Sequence, residues 1–376
     1  MNRFNRLLSL GTLYLGLASL NAGPQQNASA PAHTDSPQAE IPLTIIHFSA
    51  PKLLPQNASP MIVDPMQCSA DGKAFLEMVQ DGDVLRRPLY SVSSDGDIVI
   101  FDRVNLPGLR DVEVTAYFPG EANVVSLISA RPVSAGLDRE TTKLPPANYL
   151  VVQDPKGQRT KLIELKLRIK PSQVAQLSSG RFLVIGVEPI NNLPELELLD
   201  TDGSFIRQLD VESTTYGSSP SIAQVFGETA KGALMAVLGW SHFIPWGQQV
   251  LLVQGGSRLP VFVIGEGGIQ RTVKIAVPQQ LELESIIPMQ ASWLVRMKSV
   301  EDSKRLAGQN VVYGMQSRLY EVNSDTGELI REIMPPTDMR TNEIVCAANN
   351  QFLALHLIYK SKDDDKPQLG LFIGTD

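Results

Sequence analysis

The sequence predicts an all-β protein built from one four-stranded unit that repeats along the chain. A hairpin of two β-rich segments, joined by a turn of Asp, Asn, Ser or Gly, occurs five times. Most of these hairpins follow a second pattern, in which a short strand and a polar turn lead into an apolar strand. Glycine suits the hairpin turns because it adopts positive φ at little steric cost. The turn glycines are Gly96, Gly157, Gly203, Gly267 and Gly327.

The arrangement of these units predicts a closed ring. Five units are complete, and the sixth ends after a third strand at 368–373. The segment Leu43–Phe48 is β-rich and has no partner, so pairing it with this last strand would complete the sixth unit and remove an open edge. Repeated units that cannot bury their own apolar faces are typical of radially stacked blades. The sequence therefore predicts a six-bladed β-propeller of four-stranded antiparallel blades, closed by pairing an N-terminal strand with the C-terminal blade.

The strand, turn and spacing pattern of residues 41–376 resembles the secreted bacterial six-bladed β-propellers related to the NHL-repeat and TolB-like groups. No unit carries the Gly-His and Trp-Asp marks of WD40 repeats or a strict kelch di-glycine pattern. The resemblance implies a secreted propeller. Seven blades are the alternative if the stretch from Val211 to Gly247 contains extra strands, and six is the favoured count.

The N-terminal residues have the pattern of a secretory signal peptide. Arg3 and Arg6 precede an uncharged apolar stretch at 7–20, and small residues follow near Ala22. A membrane-spanning helix needs about twenty apolar residues, so this stretch is short for an anchor. We expect a signal peptide at 1–22, a disordered lead-in at 23–40 and the propeller domain at 41–376. The protein is expected to be secreted or periplasmic, with no transmembrane segment in the mature chain.

The charge balance bears on the class of partner. The full chain carries a formal charge of −7, and removal of residues 1–22 leaves about −9. A mildly acidic surface without a dense Lys/Arg cluster argues against nucleic acid as a partner. We therefore expect a monomer that binds a protein or a small polar ligand.

The two cysteines, Cys68 and Cys346, occupy the same place in the first and the last unit. In a closed ring these units are neighbours, so a disulfide would lock the seam in an oxidising compartment. Two buried free thiols are the alternative, because cysteine is often a small core residue. The sequence leaves both possibilities open.

The segment 239–247 has the most unusual composition in the chain. It contains two of the three tryptophans together with a histidine and a proline. Aromatic rings with a polar tip are suited to binding and orienting a ligand or a partner. Trp240, His242 and Trp246 are therefore the candidate binding residues. An inter-strand loop packed over a blade is the competing interpretation of this segment.

The sequence predicts no catalytic residues and no metal site. The four histidines lack metal-ligand spacing, and serine-hydrolase, dinucleotide and P-loop motifs are absent. The acidic segments 95–97 and 200–204 are interpreted as hairpin-turn caps rather than calcium loops. Some polar residues near strand ends could nevertheless converge on the ring axis. They are Asp64, Glu188, Asn191, Asn192, Asn349 and Asn350.

These observations favour an extracytoplasmic binding or scaffold module that recognises a ligand or partner on one loop face, with no cofactor. The alternative is a propeller hydrolase or lactonase that acts on a small polar substrate with a divalent metal at the channel axis. Converging carboxylates and amides around a metal on the axis would favour the enzyme. A plugged or apolar channel would favour the module.

The predicted closure can be tested by truncation. Deleting residues 41–48 should lower the thermal stability far more than deleting residues 23–40, because only the first deletion removes a paired strand. Melting temperatures of the two truncated proteins, measured by circular dichroism, check this expectation. Equal melting temperatures would contradict the strand pairing.

Overall fold

The computed structural model of the protein consists of β-strands in the residues it describes, apart from one short 3₁₀ turn at Thr341–Glu343. The predicted signal peptide and lead-in, residues 1–40, lie outside these residues. The described ranges are 41–54, 62–69, 71–78, 88–101, 106–120, 122–133, 146–190, 194–209, 241–253, 260–278, 280–299, 317–348, 351–358 and 368–376.

Strands β4 to β26 form six antiparallel sheets, each with its strands in chain order, so the prediction of a six-bladed β-propeller is confirmed. Blades one and two contain β4 (Ile62–Cys68), β5 (Ala74–Met78), β6 (Leu89–Val92) and β7 (Ile98–Phe101), then β8 (Leu109–Pro119), β9 (Val124–Pro132), β10 (Ala147–Gln153) and β11 (Arg159–Leu165). Blades three and four contain β12 (Lys170–Gln176), β13 (Phe182–Val187), β14 (Pro194–Leu199) and β15 (Phe205–Leu209), then β16 (His242–Trp246), β17 (Gln249–Val253), β18 (Val261–Gly265) and β19 (Gly268–Val273). Blades five and six contain β20 (Leu281–Pro288), β21 (Ser292–Ser299), β22 (Arg318–Asn323) and β23 (Leu329–Met334), then β24 (Ile344–Ala348), β25 (Gln351–Ile358) and β26 (Gln368–Thr375).

Three short N-terminal strands close the ring: β1 (Leu43–Ile45), β2 (His47–Phe48) and β3 (Lys52–Leu53). Strands β2 and β3 pair antiparallel with β26, which confirms the closure of the last blade by the N-terminal segment. The expected pairing of all of Leu43–Phe48 with β26 is wrong in one detail, because β1 runs parallel to β23 of blade five. The burial of Ile46 explains why the segment is divided between blades five and six. Its side chain is fully buried in the apolar cluster shared by blades five, six and one, so the segment changes sheets at this residue.

The innermost strand of each blade has a free edge towards the axis, and this explains a pattern of prolines. Proline lacks the backbone N–H that a central strand would need, so it is tolerated on an edge strand. Five of the six innermost strands contain one: Pro65, Pro119, Pro171, Pro245 and Pro288. The segment 242–246 is the innermost strand of blade four, so the interpretation of this part as an inter-strand loop is wrong.

The axis is narrow where innermost strands of opposite blades approach each other. Strands β4 and β16 belong to opposite blades of the six-membered ring, and Cα atoms of the two strands come within 8 Å. Strands β8 and β16, two blades apart, also come within this distance. A gap of this size between backbones holds side chains and leaves no wide channel.

In blades one to five a glycine turn packs against the preceding blade, whereas the third and outermost strands of the last blade come from opposite ends of the domain and are not joined by a turn. The turn between the third and fourth strands of a blade lies against the outermost strand of the preceding blade. Gly157 has φ of 80°, and a Cβ atom there would lie 2.6 Å from the carbonyl oxygen of Ile100 in β7. Gly203 has φ of 82°, and its Cβ would lie 2.7 Å from Cγ2 of Ile163 in β11. In the fourth hairpin the positive φ belongs to Gly268, so the assignment of this role to Gly267 is wrong.

Basic side chains reinforce the same inter-blade contacts. Lys161 Nζ donates to the carbonyl oxygen of Thr201 at 2.8 Å, which links blades two and three. Arg207 Nη2 donates to the carbonyl oxygen of Gly267 at 2.6 Å, which links blades three and four. Lys52 of β3 donates to the carbonyl oxygen of Asp95 and so joins the last blade to the first. The outermost strands thus carry donors where the neighbouring turn presents acceptors.

A disulfide joins the innermost strands of blades one and six. Cys68 and Cys346 have a Cα–Cα distance of 5.1 Å and are separated by 278 residues in the sequence. Both residues are buried, with exposures of 2% and 0%. The bond therefore lies where the first and last blades meet, near the ends of β4 and β24.

Glycine turns can be tested by a matched pair of substitutions. Gly157→Ala should lower the free energy of unfolding more than Gly108→Ala. Both residues have similar positive φ, 80° and 84°, but only the Gly157 site lacks space for a Cβ atom. The backbone strain alone costs about 1–2 kcal/mol, and overpacking adds about 1–3 kcal/mol. Urea unfolding of both variants measures the difference, and equal losses would show that the turn does not depend on the inter-blade contact.

Candidate functional site

A cavity of about 690 Å³ lies on the face of the ring where innermost strands turn into second strands. Its lining comes from five of the six blades, and we call it the axial mouth. Three of these blades contribute residues that follow their innermost strands, Asp71, Ser178 and Gln290, and blade six contributes Ala348, the last residue of β24. The remaining wall is blade four, from its first turn outwards to its outermost strand. The volume falls in the range of pockets that hold small ligands.

Trp246 lies at the end of β16 in the wall of the axial mouth and is held by three contacts. Its Nε1 donates to the carbonyl oxygen of Met289 at 2.7 Å. Its ring meets the ring of Trp293 edge to face, with centroids 5.5 Å apart. The guanidinium carbon of Arg271 lies 5.3 Å from its ring centroid, a cation–π distance. These contacts fix the orientation of the indole before any ligand arrives.

Glu266, in the turn between β18 and β19, accepts hydrogen bonds from blade three. The backbone N of Ser179 donates to Oε1 at 2.7 Å, Ser179 Oγ donates to Oε2 at 2.6 Å, and Ser178 Oγ donates to Oε1 at 3.1 Å. Partial burial opposes ionisation, but the hydrogen bonds from Ser179 and Ser178 and the charge of Arg181 outweigh it and lower the pKa of Glu266. The side chain is therefore an ionised bridge between blades three and four.

Asp71, in the turn after β4, is the second carboxylate of the axial mouth. Lys73 Nζ lies 2.5 Å from its Oδ2, and Ser69 Oγ donates to Oδ1. Partial burial opposes ionisation here as well, yet the hydrogen bonds from Lys73 and Ser69 lower the pKa of Asp71. Both mouth carboxylates are consequently held in the charged form.

Amide side chains make up much of the remaining polar lining. Gln249 Nε2 donates to Gln270 Oε1 across blade four. Gln248 and Gln290 are exposed in the turns after β16 and β20. Within the described part of the chain, the amides of Gln248 and Gln290 are not hydrogen-bonded to other side chains. The axial mouth thus combines paired and unpaired amides.

The structure separates two of the three candidate binding residues. Trp246 lines the axial mouth, whereas His242 begins the same strand four residues earlier, roughly 13 Å away along the strand. Trp240 lies outside the described residues. Glu188 accepts a hydrogen bond from the backbone N of Ile190 at 2.9 Å, in a turn on the opposite face. The Asp64 side chain and residues 191, 192, 349 and 350 are likewise outside the described part.

The acidic turn at 200–204 has the capping role expected for it, whereas the cap of the turn at 95–97 is Ser93 Oγ, which accepts a hydrogen bond from the backbone N of Asp97 at 3.1 Å. Asp202 Oδ1 accepts a hydrogen bond from the backbone N of Ser204 at 2.9 Å, and Asp200 Oδ1 accepts one from the backbone N of Thr201 at 2.8 Å. No sequence pattern singled out Glu266 or the glutamines. The signal that could have found them is their position in the turns that end on one face of the ring.

Among the described residues, no three His, Cys, Asp or Glu side chains are grouped so that they could hold a metal ion. In the same part of the chain, no helix has the length and apolar character needed to cross a membrane.

Comparison with known proteins identifies no family. No protein-family model matches the chain, and no curated protein matches it. The chain is similar to a solved Dyadobacter fermentans protein of unknown function, with 10% identity, a TM-score of 0.46, and coverage of 88% of this chain and 99% of that one. It is also similar to a Bacteroides caccae protein of unknown function, with 12% identity, a TM-score of 0.39, and coverage of 71% and 80%. The WD40 domain of Neurospora crassa Pan2 has 6% identity, a TM-score of 0.34, and coverage of 82% and 87%. The fold assignment therefore rests on the six sheets.

The bridge at Glu266 predicts a pH-dependent contribution to stability. The folded-state pKa lies below the ordinary value of 4.5, so the charge stabilises the fold above that pH and this contribution is lost as the pH falls through the folded pKa. Glu266→Gln should therefore lower the melting temperature at pH 7, and its difference from the wild type should shrink below pH 4.5. Glu164→Gln, at an exposed position of β11, is the control and should show no such trend. A constant Glu266→Gln deficit across the pH range would refute the charge contribution.

Proposed function

We propose that this chain is a non-catalytic binding or scaffold module that recognises a ligand or partner at the axial mouth. The observation that carries the proposal is the construction of this cavity from five blades. Side chains distant in sequence meet there on rigid strands and short turns. Such convergence of polar groups with an aromatic ring around a concave surface is the usual form of a ligand site.

The chemistry of the mouth favours binding over hydrolysis. A glycoside hydrolase typically needs a carboxyl group with a raised pKa as general acid. Asp71 and Glu266 have lowered pKa values, and their oxygens accept hydrogen bonds from neighbouring side chains. The close approach of β4 and β16 on the axis also leaves little room for a central reaction chamber. The two carboxylates are suited to accepting hydrogen bonds from a bound molecule.

The proposed location is outside the cytoplasm, in a secreted or periplasmic form. The charged and apolar pattern of residues 1–22 supports export, and the Cys68–Cys346 bond supports an oxidising compartment. The resemblance to secreted propellers of the NHL-repeat and TolB-like groups agrees with this location. We further propose that the module acts as a monomer and binds a protein or small polar ligand rather than nucleic acid.

Ligand-observed NMR can test the proposed site. A panel of sugars, amino acids and short peptides is screened against the wild type and against Gln248→Arg, which places a bulky charged side chain in the mouth. At least one compound should bind the wild type and lose binding to the variant. Gln158→Arg is the matched control, because Gln158 is also an exposed turn glutamine but lies in blade two, outside the mouth. This control should bind like the wild type.

The same samples distinguish a non-catalytic binding module from an enzyme. Spectra recorded before and after prolonged incubation should show the bound compound unchanged. Conversion of the compound to a product, abolished by Gln248→Arg and retained by Gln158→Arg, would overturn the non-catalytic assignment. Equal binding by the wild type and Gln248→Arg would show that recognition lies elsewhere on the protein.

A further inference from the structure

Resting on the proposed function, we infer that the ligand class of the axial mouth is a neutral carbohydrate, bound by its hydroxyl groups and one sugar-ring face. The lining offers two kinds of surface at once. Its polar part includes four glutamine amides and two carboxylates, and its apolar part includes an indole and a thioether. The residues are Gln248, Gln249, Gln270, Gln290, Asp71, Glu266, Trp246 and Met289.

The amides match hydroxyl groups in their hydrogen-bonding capacity. A glutamine side chain has two donor hydrogens and an acceptor oxygen, and a hydroxyl group is both a donor and an acceptor. Gln248 and Gln290 are exposed in adjacent blades and are not hydrogen-bonded to other side chains in the described part of the chain. Their amide groups can therefore both donate hydrogen bonds to ligand hydroxyl groups and accept hydrogen bonds from them. An uncharged polyol can form hydrogen bonds with both the donors and the acceptors of these amides.

The carboxylates are better suited to hydroxyl donors than to a full cation. Glu266 already accepts three hydrogen bonds from Ser178 and Ser179, out of about four that its two oxygens can accept. Asp71 is paired with the ammonium group of Lys73. The charge of Asp71 is thus paired with a cation, whereas that of Glu266 is stabilised by neutral hydrogen-bond donors. The remaining lone pairs can accept hydrogen bonds from a neutral ligand.

The indole supplies a preorganised apolar surface. Trp246 is held by Met289, Trp293 and Arg271, so the ligand does not have to order this side chain on binding. The C–H face of a pyranose ring is apolar, whereas its edge carries hydroxyl groups. An aromatic wall beside amides therefore complements the two surfaces of a sugar ring at the same time.

Charge argues against an anionic ligand. Both ionised groups in the described lining are carboxylates, and the lowered pKa values keep them charged at neutral pH. A phosphate or carboxylate ligand would meet like charge there. A cationic peptide is the remaining competitor, and salt dependence distinguishes it, because screening weakens ionic attraction far more than hydrogen bonding between neutral groups.

The decisive experiment measures binding of three probe sets by isothermal titration calorimetry. The neutral probes are cello-, malto-, xylo- and chito-oligosaccharides, the cationic probe is an oligolysine, and the anionic probe is an oligogalacturonate. We expect at least one neutral oligosaccharide to bind, with little change in affinity when the salt is raised to about 1 M. Gln248→Met with Gln290→Met keeps the side-chain length and removes both amides. It should weaken this binding about thirtyfold, as the loss of two hydrogen bonds would.

Folding of the double variant is checked by its melting temperature, and Gln158→Met serves as the matched control with unchanged affinity. Salt-sensitive binding of oligolysine that depends on Gln248 and Gln290, without sugar binding, would overturn the carbohydrate assignment and leave the proposed function standing. Binding of oligogalacturonate through the mouth would do the same. If a sugar binds with equal affinity to the wild type and the double variant, both the inference and the proposed site fail.

Discussion

The contact between an outermost strand and the glycine turn of the next blade, which occurs wherever a hairpin joins the third and fourth strands of that next blade, is the constraint on which the ring depends. A blade in a propeller buries its faces only against its neighbours, so the spacing between blades must be set at the rim as well as at the axis. At Gly157 and Gly203 the turn approaches so closely that a Cβ atom would collide with Ile100 or Ile163 of the preceding blade. Glycine is needed there for two independent reasons, positive φ and lack of space. Hydrogen bonds from Lys161 and Arg207 then hold the turns of blades three and four in position against the outermost strands of the preceding blades.

Where the two ends of the domain meet, at blades five, six and one, other contacts hold the neighbouring blades together. The outermost positions of the last blade are filled by β2 and β3, which come from the other end of the domain. Arg331 of blade five connects the segments that meet there, because it contacts Thr44 of β1 at 3.3 Å and Asp376 at 2.6 Å. On the axial side, the Cys68–Cys346 bond joins blades one and six. Asp71 lies in the turn that follows β4 and Ala348 is the last residue of β24, so closure of the ring also sets one side of the axial mouth.

The sequence predicted the parts of the structure that short-range patterns encode. Hairpin turns with Asp and Gly, such as 200–204, fix strand pairs locally, and the orphan strand at 43–48 indicated the closure. The sequence did not predict the division of that strand at Ile46, because it depends on burial in a cluster shared by three blades. It also did not reveal β16, since Pro245 argues against a central strand and only the edge position at the axis makes it acceptable. The axial mouth could not be predicted, because Glu266 and Gln290 lie in turns of different blades and only the closed ring places them in one cavity.

Trp246 shows how the scaffold and the site share residues. Its indole closes the contact between blades four and five through Met289 and Trp293, and the same ring forms part of the mouth wall. Removing this ring would alter packing and recognition together, so its effect on binding would have no single cause. Gln248 and Gln290 project from turns at the same wall, where substitution leaves the inter-blade contacts in place. The rigid indole therefore sets the shape of the axial mouth, and the two exposed amides determine its hydrogen-bonding specificity.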